Sequence, residues 1–123
     1  MRHVLLIEDN EHNRYLVTFL LEHHGFRVSH AMDGPTALDW VGRERFDLIL
    51  LDIQLPGMDG YQVARALRSL PALEHTPIVA VTSYAMLGDR ENILAAGCDG
   101  YLEKPINPDT FVVDLSAHLR SGT

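Results

Sequence analysis

Five times along this chain a strand-length segment gives way to a turn and then to apolar residues at helical spacing. The segments cover residues 4–7, 26–31, 48–51, 78–81 and 100–102. Residues 4–7, 48–51 and 78–81 are unbroken apolar runs, too short for helices and suited to strands covered on both faces. In residues 26–31, Phe26, Val28 and His30 alternate with Arg27, Ser29 and Ala31, which predicts a strand with one wetter face at a sheet edge. Parallel neighbours need crossover connections, and such connections are right-handed. The alternation therefore predicts an α/β fold, a five-stranded parallel sheet with five helices on both faces.

The helix signals agree. Asn10 is placed to cap the first helix, where Leu16, Phe19, Leu20 and His23 recur before Gly25 stops it. Asp33-Gly34-Pro35 opens the second, with Ala37, Leu38 and Val41. Pro56, Gly57 and Gly60 force a loop after the third strand, glycine because it takes positive φ freely. Val63, Ala64, Leu67 and Leu70 then share one face. Pro77 precedes the fourth strand at a tolerated position. The helix over residues 86–96 has only Ile93, Leu94 and Ala96 to anchor it before Gly97, so it is expected to be the least firmly held. Asn107 or Asp109 caps the last helix, with Phe111, Val112, Leu115 and Leu119 facing inward.

At 123 residues the chain fits a single domain, residues 1–123, with no internal repeat, low-complexity segment or linker. A lone Cys98 excludes an internal disulfide and any cysteine-based zinc cluster, and it suits a reducing compartment. Met1 leads straight into the first strand without a signal-peptide pattern, and the apolar runs are too short to span a bilayer. A cytoplasmic location and an independent gene product are expected. The net charge of -7 argues against direct nucleic-acid binding and against attraction to an anionic membrane.

In a parallel sheet the C-terminal ends of all strands lie on one edge, where ligands bind in open sheets. This chain places Glu8 and Asp9 there after the first strand, Asp52 after the third, Thr82 after the fourth and Lys104 after the fifth. A strand-end aspartate by itself most often caps a turn, and a single acidic residue most often sits on a solvated rim. Five such residues at strand ends argue for more. Crowded carboxylates resist joint ionisation unless a cation sits among them, and a small hard ion, Mg²⁺ by preference, suits oxygen donors. A carboxylate beside Mg²⁺ and an ammonium is equipped to attack phosphorus and become an aspartyl phosphate. Lys104, the Thr82 hydroxyl and N–H groups of the Asp52 loop are placed to neutralise the phosphoryl oxygens, while the small Ser83 leaves the approach open. No histidine is placed as a base, and an ionised Asp52 needs none.

Glu8-Asp9-Asn10, the stretch from Leu51 to Gly60, Val81-Thr82-Ser83 and Lys104-Pro105 together resemble the receiver domain of bacterial two-component response regulators. The match spans essentially the whole chain, and its wording is similar to single-domain cell-division-type regulators and hybrid-kinase receivers. The resemblance implies a flavodoxin-like sheet of order 2-1-3-4-5. It implies that Asp52 accepts a phosphoryl group from a histidine kinase or a histidine phosphotransfer protein. It further implies that Asp9, Asp52 and the main-chain carbonyl of Gln54 bind Mg²⁺, with Glu8 reaching it through water. Lys104, joined to Pro105 by a cis bond, would contact the phosphoryl group. Thr82 would move onto the phosphate and Tyr101 would turn inward, reshaping the face of the fourth helix, fifth strand and fifth helix for a downstream protein partner. Glu8 stands where aspartate is commoner, and Gln54 and Tyr84 occupy variable positions that tune phosphate lifetime.

Other classes fit less well. A phosphatase working through an aspartyl phosphate needs a second acid two residues after the nucleophile, where this chain has Gln54. A flavin carrier on the same architecture needs a phosphate cradle in its first loop, where Glu8-Asp9 would repel one. A receiver used for docking without phosphorylation remains an alternative, against which stands the full set of site residues. The seven histidines have no metal spacing, and Trp40 reads as packing.

Overall fold

The computed structural model describes residues 2–55, 59–83 and 87–121, without the side chains of residues 87 and 118–121. The Pro56-Gly57-Met58 turn, Tyr84-Ala85-Met86 and the inward placement of Leu119 lie outside the described residues. Strands β1 (His3–Ile7), β2 (Arg27–Ala31), β3 (Leu48–Asp52), β4 (Ile78–Thr82) and β5 (Gly100–Glu103) alternate with helices α1 (Glu11–His23), α2 (Gly34–Arg43), α3 (Gly60–Arg68), α4 (Leu87–Ala95) and α5 (Phe111–Ser121). A single 3-10 turn, Pro71–Leu73, separates α3 from β4. The sheet is parallel throughout, as the alternation of elements predicts, and its order is β2-β1-β3-β4-β5, as the resemblance implies.

Period two along each strand builds two cores. Val4, Leu6, Leu48, Leu50, Val79 and Val81 point to one face, where Val17, Leu20 and Leu21 of α1 and Phe111 and Leu115 of α5 cover them. Leu5, Ile7, Ile49, Leu51, Ile78 and Ala80 point to the other, under Ala37, Val63, Ala64, Leu67 and Ile93 of α2, α3 and α4 and Ala96 just past α4. β1, β3 and β4 are buried along their whole length, whereas β2, at the edge, is half open. That is the contrast between continuous and alternating apolar patterns in the sequence.

The caps are in place. Asn10 and Asp33 accept from the Asn13 and Thr36 amides, and Asp59 makes a reciprocal capping box with Gln62. Gly25 and Gly97, just past α1 and α4, have positive φ. For α5, Asn107 rather than Asp109 organises the entry, its side chain accepting from the Asp109 amide and its carbonyl from the Phe111 amide, each at 2.9 Å.

Several inward assignments change. On α1 the buried stripe is Val17, Leu20 and Leu21, while Phe19 is exposed and stacks on His23. The i, i+3, i+4 stripe that meets the sheet is thus rotated from the one that includes Phe19. Leu94 is likewise exposed, so Ile93 and Ala96 anchor α4 among the described side chains. Leu70 lies beyond the end of α3 but still packs against the same core.

Candidate functional site

The C-terminal ends of β1, β3, β4 and β5 bring the expected groups together. Glu8, Asp9 and Asp52 each offer a carboxylate oxygen, and these atoms all lie within 4.8 Å of one another. Lys104 Nζ lies 3.1 Å from Asp52 Oδ1 and 3.8 Å from Glu8 Oε1. Asp52 is only 3% exposed and Glu8 4%, while Asp9 is more open. Asp52 is nevertheless reachable. With Glu8, Ser83, Lys104 and Pro105 it lines a cavity of about 440 Å³ between α1 and the β5–α5 connection, whose outer wall includes His12 and Leu16.

Each group is held by its own element. Asp52 ends β3, where pairing with Val81 of β4 fixes its main chain, and its Oδ1 accepts the Gln54 amide at 2.9 Å. Gln54 Oε1 in turn accepts the Ser83 amide at 3.4 Å, tying the β3 loop to the β4 loop. Thr82 ends β4 and is buried, and its carbonyl accepts the Lys104 amide at 2.8 Å. The Lys104–Pro105 bond is cis. Gly60 brings α3 against the loop: its amide donates to the Ile53 carbonyl at 3.0 Å, and a Cβ there would stand 2.6 Å from that oxygen. Close approach, rather than the positive φ expected from sequence, is what Gly60 provides. Tyr101, on β5, is partly buried, with the Arg90 guanidinium 5.5 Å from its ring centre. It faces the α4 side of the sheet, away from the carboxylates.

The electrostatics show crowding. Burial pushes the Glu8 carboxyl up from 4.5 to about 8, and the hydrogen bond and charge of Asp52 push the same way against the pull of Lys104. The crowding therefore favours the protonated form of Glu8. Two buried carboxylates with one ammonium leave a charge that must be met by a proton or by a cation. Three carboxylates and nearby carbonyls are the hard oxygen donors that Mg²⁺ takes, so the residues present fit that ion.

Two arginines gave no sequence signal beyond a charged helix position. Arg14, on α1, donates through Nη1 to the carbonyls of Glu8 and Asp9. Arg68, at the end of α3, binds the carbonyls of Leu73, Glu74, Thr76 and Gly97 and pairs with Asp99 at 2.8 Å, on the edge of the sheet away from the site.

Comparison with known proteins agrees with this geometry. Residues 4–116 match the model of the response regulator receiver domain. The polar-differentiation response regulator DivK of Brucella anthropi is 40% identical over 116 residues, 94% of either chain. The chemotaxis response regulator CheY4 of Vibrio cholerae superposes with a TM-score of 0.92 at 32% identity, covering 96% of this chain and 98% of its own. The receiver domain of the sensor histidine kinase PA1611 of Pseudomonas aeruginosa, with a magnesium ion coordinated in its active-site cleft, gives 0.88 at 37% identity over 97% and 98%. The chain belongs to the response regulator receiver domain family of two-component signalling.

Proposed function

We propose that the chain, as one receiver domain over residues 1–123, is a phosphorylation switch and not a turnover enzyme. Asp52 takes a phosphoryl group from a histidine kinase or a histidine phosphotransfer protein. The observation that carries this reading is the Lys104 ammonium 3.1 Å from Asp52 Oδ1 inside a cluster of three carboxylates. Asp9, Asp52 and the Gln54 carbonyl would hold Mg²⁺, with Glu8 acting through water. When bound, the ion neutralises charge on the transferring group. That the Pseudomonas aeruginosa receiver coordinates magnesium in its cleft supports the assignment.

The chain's own groups divide the remaining work. Lys104 and the Gln54 amide, both on Oδ1, orient the Asp52 carboxylate. An Asp52 oxygen forms the new bond to phosphorus, and the bond from phosphorus to the donor imidazole nitrogen breaks. Positioning and charge neutralisation suffice, since the phosphoryl group passes through a loose transition state. Thr82 then moves toward the phosphate, and Tyr101 turns inward from beneath Arg90. The surface of α4, β5 and α5 changes and a downstream protein reads it. Neither nucleic acid nor membrane is a partner; no helix among the described residues is long and apolar enough to cross a bilayer, and we place the protein in the cytoplasm.

The test is labelling with acetyl phosphate and Mg²⁺, read by intact mass. The wild type should take one phosphoryl group and Asp52→Asn none. Stoichiometric, acid-stable label in that variant would overturn the assignment.

A further inference from the structure

Arg14 takes three consecutive carbonyls of the loop that carries the acidic pair. Its amide donates to the Asn10 carbonyl at 2.9 Å, and its Nη1 donates to the carbonyls of Asp9 at 3.0 Å and Glu8 at 3.2 Å. The Glu8 amide is occupied on the other side, donating to the Ala31 carbonyl at 2.9 Å. The Asn10 amide reaches Glu8 Oε2 at 3.3 Å, and the Asn10 side chain caps α1. One guanidinium nitrogen thus clamps the main chain of two carboxylate-bearing residues to the first turn of the helix.

Resting on the phosphoacceptor reading above, we infer that Arg14 is a positioning residue for that reaction. It holds the main chain of Glu8 and Asp9 so that both carboxylates converge with Asp52 on a divalent cation. Two effects of the guanidinium oppose each other. Its positive charge disfavours a cation nearby, so charge alone would make its removal tighten Mg²⁺ binding. Its hydrogen bonds restrain two of the three carboxylate bearers, so their loss weakens binding. Arg14 is half-exposed, and water and salt screen its charge. The two bonds are charge-assisted contacts to adjacent carbonyls and keep their directional effect. Positioning wins. Because both bonds leave from one nitrogen, a lysine ammonium with three donors can replace them, whereas a methionine of similar length cannot.

The test is a calorimetric Mg²⁺ titration of the full chain, with acetyl-phosphate labelling followed against Mg²⁺ concentration. In Arg14→Met the Mg²⁺ needed for half-saturation should rise about tenfold, as for other residues that support metal ligands. The labelling rate at saturating Mg²⁺ should stay near that of the wild type. Arg14→Lys should recover most of the affinity. If Arg14→Met does not fold, Arg14→Gln, which keeps a neutral donor on a shorter side chain, takes its place and should bind Mg²⁺ more weakly than Arg14→Lys. Equal or tighter Mg²⁺ binding in the methionine or glutamine variant, with the wild type binding normally, would overturn the inference. So would a slow rate that persists at saturating Mg²⁺ without a change in half-saturation, which is the mark of general damage. A wild type that neither binds Mg²⁺ nor takes label would instead bring down the phosphoacceptor reading, and this inference with it.

Discussion

At Gly60 a single methyl group decides whether the loop after β3 can close. An added Cβ would stand 2.6 Å from the Ile53 carbonyl oxygen and 2.8 Å from the carbonyl carbon. Those are main-chain atoms next to Asp52, and no rotamer change moves them away. Alanine at the start of a helix gains up to about 1 kcal/mol in propensity over glycine. Overpacking against a fixed backbone costs about 1–3 kcal/mol or more. Gly60→Ala is therefore expected to lose about 2 kcal/mol in urea unfolding, and to take label from acetyl phosphate more slowly because Ile53 joins Asp52 to Gln54. A variant as stable as the wild type would show that this approach is looser than described. The sequence marks Gly60 as special but not why. A glycine between strand and helix suggests positive φ, and only packing reveals a close contact. Asp52, Thr82 and Lys104 were legible because a parallel sheet puts every strand's C-terminal end on one edge. Arg14 and Arg68 were not, since a charged residue on a helix looks like any solvated face until its partners are known.

Elements were legible where one period dominates. The apolar residues of β1, β3 and β4 sort without exception into the two cores, because each strand is covered on both sides. Helix faces were harder, since α1 carries more large apolar residues than its contact with the sheet can bury: Tyr15 and Phe19 stay outside. α4 differs from its neighbour. α3 buries Val63, Ala64 and Leu67 and has a reciprocal capping box, whereas Ile93 and Ala96 are the buried apolar anchors described for α4. Cys98 follows α4 directly, its amide donating to the Ile93 carbonyl at 3.3 Å, and it packs in the same core. Burial pushes its thiol up to about 12, so at pH 8 the folded chain exposes almost no thiolate. Alkylation at Cys98 therefore requires opening. If α4 opens by itself, the labelling rate should hardly change in dilute urea, because a local opening exposes little surface. The amides of α3 should exchange more slowly than those of α4. Labelling whose urea dependence equals that of global unfolding would mean that α4 is bound into the whole fold as firmly as α3.

At the scale of the whole molecule, the site and the stability of the fold are linked through protons. Folding raises the Glu8 carboxyl from 4.5 to about 8, so between those values the folded chain holds a proton that the unfolded chain has released. Stability from this group is fully present below about pH 4.5 and is lost as pH rises toward about 8. Other carboxylates titrate as well, which makes the useful quantity a difference. Glu8→Gln keeps the shape and a donor without titrating. Measured by urea unfolding without divalent ions, wild-type stability relative to this variant should fall steadily from pH 5 to pH 8. Mg²⁺ should reverse the trend, because the ion competes with the proton and binds the folded, deprotonated cluster. At about one hundred times its dissociation constant a ligand adds about 2.7 kcal/mol to the folded state. In Mg²⁺ the wild type should therefore gain on Glu8→Gln as pH rises. A difference that stays flat with pH in the absence of Mg²⁺ would mean that Glu8 is ionised in the folded chain, with Lys104 rather than a proton answering the crowding. A difference that falls identically with and without the ion would mean that Glu8 takes no part in holding it.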